Sequence, residues 1–219
     1  MRVAKTGGTP EVIATEQWFD TGSDDRIAVA NGYVYWLSED SPFEAAGTVR
    51  RVSEAGTLSA IETLADNLDT PTTLATDGAS LCFRTGHPNS TSPIWCMLTA
   101  GGAIDPVAYD RFPYKMLFLA GYLYWSEGGG EVIERAWPVR GANIETVART
   151  TRPIALTADA MNLFFTVSPS SASQEIRTLV GGEPVRMWAS DKYPRAIASD
   201  GYHVYFIEQE RVLRVPTRP

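Results

Sequence analysis

Five stretches of the chain place apolar residues at consecutive positions, where a half-exposed strand would alternate apolar and polar residues. They align without gaps, and each ends on a large aromatic residue: GYVYW (32–36), ASLCF (79–83), GYLYW (121–125), MNLFF (161–165) and YHVYF (202–206). Consecutive apolar positions are typical of strands whose sheet is covered on both faces. The pattern therefore predicts five equivalent buried strands.

These stretches belong to an internal repeat. The final aromatic residues follow one another at intervals of 47, 42, 40 and 41 positions: Trp36, Phe83, Trp125, Phe165 and Phe206. An apolar residue stands nine positions before each of them: Ile27, Leu74, Met116, Leu156 and Ile197. A proline stands 12 positions before the last four aromatics. A period of about 40 residues is typical of proteins built from stacked structural repeats.

Each period contains the turn and strand signals of four short strands. A short strand and the aromatic strand flank a tight turn such as Asn31-Gly32 or Asp200-Gly201, which is a β-hairpin signal. A third strand has the pattern of Val49-Arg50-Arg51, and a Gly-containing turn leads to a fourth strand such as 184–188. No segment keeps a period of 3.6 residues, so we expect no helices.

Four antiparallel strands in each period, in sheets buried on both faces, describe the blades of a β-propeller. We predict an all-β fold, a five-bladed β-propeller of four-stranded antiparallel blades, forming a single domain over residues 1–219. The predicted blade cores lie near 24–65, 71–108, 113–148, 153–189 and 194–219, the last completed by 1–14. We expect the ring to close by pairing of the N- and C-terminal strands, because such pairing removes an exposed sheet edge.

Two segments resemble a known family. The sequences YWLSED (35–40) and YWSE (124–127), each preceded by a Gly turn and followed by a V/I-x-R strand, are similar to YWTD-type β-propeller repeats. Those repeats occur in lipoprotein-receptor ectodomains and in bacterial relatives. The resemblance covers nearly the whole chain and is strongest in the first and third repeats. It implies a propeller fold and a habit of binding proteins or other ligands.

Charge and hydropathy exclude several classes of partner. The net charge is -7, and no basic cluster is longer than a dipeptide such as Arg50-Arg51, so we expect no nucleic-acid partner. No window approaches the roughly 18 apolar residues of a membrane span, so we expect no membrane insertion. The first residues, MRVAKTGGTP, lack the apolar core of a secretory signal. We expect a monomer that is cytoplasmic, or secreted or at the cell surface if a leader was removed.

The two cysteines fall in one predicted hairpin. If Arg84 opposes Ile94, then Cys82 faces Cys96 across the second and third strands. A cross-strand disulfide and a pair of buried thiols both fit this placement.

Catalytic signals are weak in the sequence. His87 and His203 belong to repeats that are not adjacent, which argues against a Ser-His-Asp triad or a histidine metal site. The acidic loop 38–46 lacks the spacing of a calcium-binding loop, so we expect neither a metal nor another cofactor. The aspartates of the hairpin turns, Asp77, Asp159 and Asp200, are interpreted as turn residues.

The sequence therefore predicts a non-catalytic binding or scaffolding propeller that recognises a protein or a carbohydrate. Its surface is expected on the loops that join strand four to strand one and strand two to strand three. Mixed charge and one aromatic suit recognition, although a plain solvated surface is equally polar. The candidate ligand-binding residues on these loops are Trp18, Asp40, His87, Arg111, Glu127, Arg152, Lys192 and Glu208.

The alternative is a hydrolase or lyase with a site at the tunnel mouth. Such a site would have to gather side chains from several of the same loops. The residues available for it are Asp25, Asp69, Asp110, Asp191 and His87.

Overall fold

A computed structural model describes most of the chain. The described residues are 7–15, 26–39, 46–55, 60–86, 91–127, 131–170, 173–180, 182–192 and 194–217. Within these ranges there are 19 β-strands and no α-helix, as predicted. The chain divides into two compact units, residues 1–106 and 107–219.

The first unit is built from sheets whose strands follow one another in chain order. The strands of the first sheet are β1 (Ile27–Ala30), β2 (Tyr33–Glu39), β3 (Ala46–Ser53) and β4 (Glu62–Asp69). The strands of the second sheet are β5 (Thr73–Thr76), β6 (Ser80–Arg84), β7 (Ser92–Leu98) and β8 (Asp105–Arg111), and β8 contains the boundary between the units.

The second unit contains three further sheets with the same sequential order. The third sheet has β9 (Pro113–Leu119), β10 (Tyr122–Glu127), β11 (Val132–Ala136) and β12 (Glu145–Arg149). The fourth has β13 (Leu156–Ala158), β14 (Leu163–Ser170), β15 (Ser173–Val180) and β16 (Glu183–Ser190). The fifth has β17 (Pro194–Ser199), β18 (His203–Glu208) and β19 (Arg211–Pro216), which makes three strands among the described residues.

All five sheets share one hairpin register. In every sheet the aromatic residue of the second strand pairs with the apolar residue nine positions earlier: Ile27 with Trp36, Leu74 with Phe83, Met116 with Trp125, Leu156 with Phe165 and Ile197 with Phe206. The turn of the first hairpin has φ of 50° at Asn31 and 76° at Gly32, as a two-residue turn with both central φ values positive requires. The predicted repeat is therefore confirmed at the level of strand pairing.

The second strands lie in cores shared by neighbouring sheets. The aromatic residues Trp36, Phe83, Trp125, Phe165 and Phe206 are between 0% and 4% exposed. Tyr35 and Leu37 of the first sheet pack in one cluster with Leu81 and Phe83 of the second. Phe164 of the fourth sheet packs with Phe206 of the fifth. Burial on both faces explains why these strands are apolar at consecutive positions.

The first and third sheets, in which the family resemblance is strongest, also share an arginine arrangement. Arg135 of β11 donates hydrogen bonds to the Tyr124 hydroxyl, at 3.0 Å, and to Glu145, at 2.9 Å. The bond to Tyr124 is the largest influence that raises the pKa of Arg135 above its ordinary value. Arg51 of β3 likewise donates from Nε to Glu62, at 3.1 Å. These contacts tie the second, third and fourth strands together at the surface.

The cysteine pair is a disulfide. Cys82 of β6 pairs with Cys96 of β7, and the two are covalently linked. Both side chains are buried, at 0% and 3% exposure. The structure therefore selects the disulfide over the pair of thiols.

The hairpin-turn aspartates have the predicted structural role. Asp200 Oδ1 accepts hydrogen bonds from the backbone N–H groups of Tyr202, at 2.8 Å, and His203, at 2.7 Å. Chiefly because of the N–H of His203, the pKa of the Asp200 carboxyl is lowered from its usual range. Asp77 and Asp159 accept equivalent bonds in their own turns. His203 begins β18 and belongs to a strand, as expected.

A membrane-spanning helix must be long and predominantly apolar. No helix among the described residues has the length and apolar character that a membrane span requires.

We expect the Trp125→Ala variant to lose about 3–5 kcal/mol of unfolding free energy, because it removes a fully buried aromatic side chain from a packed core. Chemical denaturation of both proteins measures this difference. The control is Met161→Ala in a hairpin turn, where the side chain is 79% exposed. The control should change stability by less than about 0.5 kcal/mol. A loss below about 1 kcal/mol for Trp125→Ala would contradict the assignment of Trp125 to a core position.

Candidate functional site

The two ends of each sheet differ in chemistry. At one end, the first two strands are joined by a hairpin turn, which in four of the five sheets contains an aspartate or asparagine bonded to the backbone. At the other end, the first strand begins and the second strand ends, and we call this the loop end. Charged side chains are buried at the loop end in both units. Buried charge requires partners, so these side chains define the candidate site.

In the first unit, the loop-end arginines are held by side chains of their own sheet. Arg26, which precedes β1 and is 4% exposed, donates to Glu39 at 2.8 Å. Arg84, at the end of β6 and 3% exposed, donates to Ser92 Oγ at 2.8 Å. These pairs fix where the second strand ends and the third begins.

In the second unit, Arg111 belongs to a partly buried network. Its Nε lies 2.9 Å from Glu134 Oε2, and the same oxygen accepts a hydrogen bond of 3.0 Å from Trp125 Nε1. The side chains of Arg111 and Glu134 are 27% and 12% exposed. Arg111 is therefore engaged by the third sheet, although the sequence placed it on an exposed recognition surface.

Glu127 and Glu208 occupy equivalent positions but have different partners. Each lies two residues after the core aromatic of its sheet and pairs with the proline that begins the first strand, Pro113 or Pro194. Glu127 Oε1 accepts a hydrogen bond of 2.7 Å from the backbone N–H of Phe112. Its carboxylate thus accepts a backbone hydrogen bond at the start of its own sheet.

Glu208 uses its carboxylate differently. The side chain is 2% exposed, and Oε2 forms an ion pair with Arg211. The other oxygen, Oε1, is buried and has no hydrogen-bond partner in the part of the chain that the structure describes. A buried oxygen that lacks a partner calls for an explanation, because most such groups in proteins are satisfied.

Arg152 and Lys192 lie on the loops that lead into β13 and β17. Arg152 is exposed, has φ of 47°, and forms no ion pair with any described residue. Lys192 Nζ lies 3.0 Å from Asp191, and this hydrogen bond is the main reason why the pKa of the Asp191 carboxyl is lowered. One of the two cations is therefore neutralised by its neighbour in sequence.

Strand contacts determine which of these groups are near each other. Strand β13 contacts both β9 and β17, so the first strands of the third, fourth and fifth sheets are neighbours. Lys192 lies two residues before Pro194, the partner of Glu208. Arg111 directly precedes Phe112, whose backbone N–H donates a hydrogen bond to Glu127. The predicted residues Trp18, Asp40 and His87 lie outside the described residues.

The aspartates proposed for a tunnel-mouth site are not gathered into one group. Asp69 ends β4 and accepts a hydrogen bond from the hydroxyl of Thr70, while Asp191 is paired with Lys192. Asp25 and His87 lie outside the described residues, and Asp110 lies within β8. Across the described ranges, no group of three or more His, Cys, Asp and Glu side chains is placed to hold a metal ion.

Sequence reasoning missed several loop-end groups. It did not single out Arg26 or Glu134, whose partners Glu39 and Arg111 are distant in sequence. It also did not single out Thr150, whose buried hydroxyl has no hydrogen-bond partner in the described ranges. It included Glu208 but treated this side chain as exposed. The repeat register contained a usable signal, because Glu208 aligns with Glu127 at the end of an otherwise apolar strand.

Comparison with known proteins identifies the fold. No family model matches the chain, and no curated protein matches it in sequence. The crystal structure of a nidogen–laminin complex matches with a TM-score of 0.60 and 19% identity over 84% of this chain and 71% of that one. Virginiamycin B lyase from Staphylococcus aureus, in an inactive variant with quinupristin, matches with a TM-score of 0.61 and 17% identity. The match covers 88% of this chain and 65% of the lyase.

A third similar structure is that of a puromycin hydrolase variant complexed with PGG. It has a TM-score of 0.73 and 12% identity over 98% of this chain, which spans 39% of the hydrolase. At such low identities the likeness describes the fold alone. Together with the five sheets of sequentially ordered strands, it assigns the chain to the β-propeller type.

The comparisons also correct the functional prediction. The similar solved structures are mostly of enzymes, among them the lyase and the hydrolase. The prediction of a non-catalytic binding or scaffolding propeller is therefore wrong. The sequence argument looked for histidines and tunnel carboxylates and placed Glu208 in a loop, whereas the side chain of Glu208 is 2% exposed.

Proposed function

We propose that the protein is an enzyme, a hydrolase or a lyase, with its site at the loop end of the sheets in residues 107–219. The observation that carries this proposal is the carboxylate of Glu208. It is 2% exposed, held through Oε2 by Arg211, and makes no hydrogen bond through Oε1 to any described residue. The propeller fold that this chain shares with a lyase and a hydrolase is compatible with such a site.

The energetics of burial support a functional role for Glu208. Leaving a buried polar atom without a hydrogen bond costs about 1–3 kcal/mol. Glu127, at the equivalent position, uses one carboxylate oxygen to accept the N–H of Phe112. A substrate or a reacting water that donates a hydrogen bond to Oε1 of Glu208 would remove this cost at Glu208.

The carboxylate can transfer a proton in either reaction class. In a hydrolysis, Oε1 takes a proton from water while the water oxygen bonds to a carbonyl carbon, and it returns that proton to the leaving group when the old bond breaks. In a lyase reaction, Oε1 takes a proton from a carbon next to a carbonyl. The C–H electron pair forms a carbon–carbon double bond, and the leaving group departs and takes up the proton.

Product masses distinguish the two classes. Incubation of the protein with puromycin, with quinupristin and with a panel of amide and ester compounds, followed by mass spectrometry, tests for turnover. Hydrolysis adds one water to the mass of the substrate, whereas a lyase reaction adds none.

We expect Glu208→Gln to lower kcat by about 10²- to 10⁴-fold, the usual contribution of a general acid or base. The matched control is Glu127→Gln, which keeps an acceptor for the N–H of Phe112 and lies outside the proposed proton transfer; its kcat should stay near that of the unaltered protein. The enzyme proposal fails if the unaltered protein converts no compound of the panel. The assignment to Glu208 fails if Glu208→Gln retains full activity.

We also propose the finer architecture, in which YWTD-type repeats form one closed domain. The support is the Tyr-Trp strands of the first and third sheets, together with the three-stranded fifth sheet and the strand-like pattern of residues 10–14. In this proposal the N-terminal segment adds the outer strand to β19.

If this closure exists, a deletion of residues 1–14 exposes the edge of β19. We expect concentration-dependent association on gel filtration and a less cooperative unfolding transition, because open strand edges pair between molecules. Ile13 also packs against Trp36, so a loss of stability alone is not diagnostic. A deletion of residues 1–6 is the control. Unchanged association and an unchanged unfolding midpoint in the longer deletion would contradict closure.

A further inference from the structure

We infer that the loop Thr150–Arg152, at the loop end of the fourth sheet, binds a carboxylate group of the substrate. This inference rests on the proposed function and deepens it by naming the substrate class: a short peptide-like acid with an amide or ester bond. Two independent features of the loop, an orphaned hydroxyl and an unpaired guanidinium, carry the argument.

The first feature is the side chain of Thr150. It is 8% exposed, and its Oγ1 is buried without a hydrogen-bond partner in the described ranges. The backbone of the same residue is fixed, because its N–H donates to the carbonyl oxygen of Glu131 at 2.7 Å. A buried hydroxyl has a donor to offer, and this one has no acceptor within the described chain.

The second feature is Arg152. It is exposed and has no ion-pair partner among the described residues. In contrast, Arg111 at the end of β8 lies against Glu134, and Lys192 before β17 lies against Asp191. The loop is held in place, because Thr151 accepts a hydrogen bond of 3.1 Å from the N–H of Ser168. Arg152 itself has φ of 47°, a conformation that is uncommon for residues other than glycine.

The chemistry of the two groups selects a carboxylate. A guanidinium presents parallel N–H donors that match the two oxygens of a carboxylate. The hydroxyl of Thr150 adds a third donor from a buried position two residues away. None of these groups suits a cationic or an apolar ligand at this point.

The position of the loop relates the carboxylate to Glu208. The loop leads into β13, Glu208 lies beside the start of β17, and these two strands are in contact. Stacked sheets lie about 10 Å apart, and an extended chain spans about 3.3–3.6 Å per residue. A carboxylate on the loop is therefore within about three residues of a bond at Glu208. This spacing describes a short peptide-like molecule with a free C-terminal carboxylate.

Binding can be tested without turnover, with two probes that differ in one group. The probes are N-acetyl-triglycine and its C-terminal amide, titrated into the full chain and followed by NMR or calorimetry. We expect saturable binding of the acid and at least roughly tenfold weaker binding of the amide, since one charged contact contributes about that factor.

Variants assign the binding to the loop. Arg152→Ala should lower the affinity for the acid by at least about tenfold, and Arg152→Lys should restore part of this loss. Thr150→Val should lower the affinity for the acid several-fold. Arg149→Ala is the control, because it removes the same charge from an exposed strand position three residues away. Arg149→Ala should bind the acid like the unaltered protein.

Three results would overturn the inference. They are equal affinities for the acid and the amide, unchanged affinity in Arg152→Ala, and no saturable binding in the millimolar range. The outcome is separable from that of the proposed function. Carboxylate-dependent binding without turnover of any compound would remove the enzyme proposal and leave the binding site. Equal turnover of acidic and neutral-ended compounds would remove the carboxylate site and leave the enzyme.

Discussion

The pairing of a core aromatic with the apolar residue nine positions earlier is the interaction on which all five sheets depend. Met116 with Trp125 and Leu156 with Phe165 are two examples. The pairing fixes the hairpin register, and a register shift by one residue would turn every side chain of the strand to the opposite face. Because the register is the same each time, neighbouring sheets present matching apolar faces and pack in shared cores such as that of Tyr124 and Phe165.

The same hairpin register determines at which end of the sheets the charged side chains lie. The hairpin turns with their aspartates lie at one end of the sheets, and the buried charged residues Arg26, Arg84 and Glu208 lie at the other. Most of them stabilise the strand ends, as Arg26 does with Glu39. Glu208 and Thr150 each have a buried oxygen without a hydrogen-bond partner among the described residues. In the proposed enzyme, these positions are where a substrate completes the hydrogen bonding that the fold leaves open.

The sequence predicted the sheets and their register because the signal is local and recurs in every repeat. A turn such as Asn31-Gly32, an apolar run and a fixed spacing were sufficient for this. The state of Cys82 and Cys96 was not predictable, since a facing pair suits both the thiol and the disulfide form. The burial of Glu208 was also missed, because a glutamate between a strand and a turn usually faces water. Partnerships such as Arg111 with Glu134 depend on tertiary contacts that the repeat pattern does not encode.

Native-state hydrogen exchange of the second strands tests the central claim, that five equivalent hairpins form the cores of the sheets. The amide hydrogens of Trp36, Phe83, Trp125, Phe165 and Phe206 are the relevant probes. We expect the five to belong to the slowest-exchanging class, because each lies in a buried, paired strand that opens only when the surrounding core is lost. Fast exchange at one or more of these positions, at the rate of the hairpin turns, would contradict the claim.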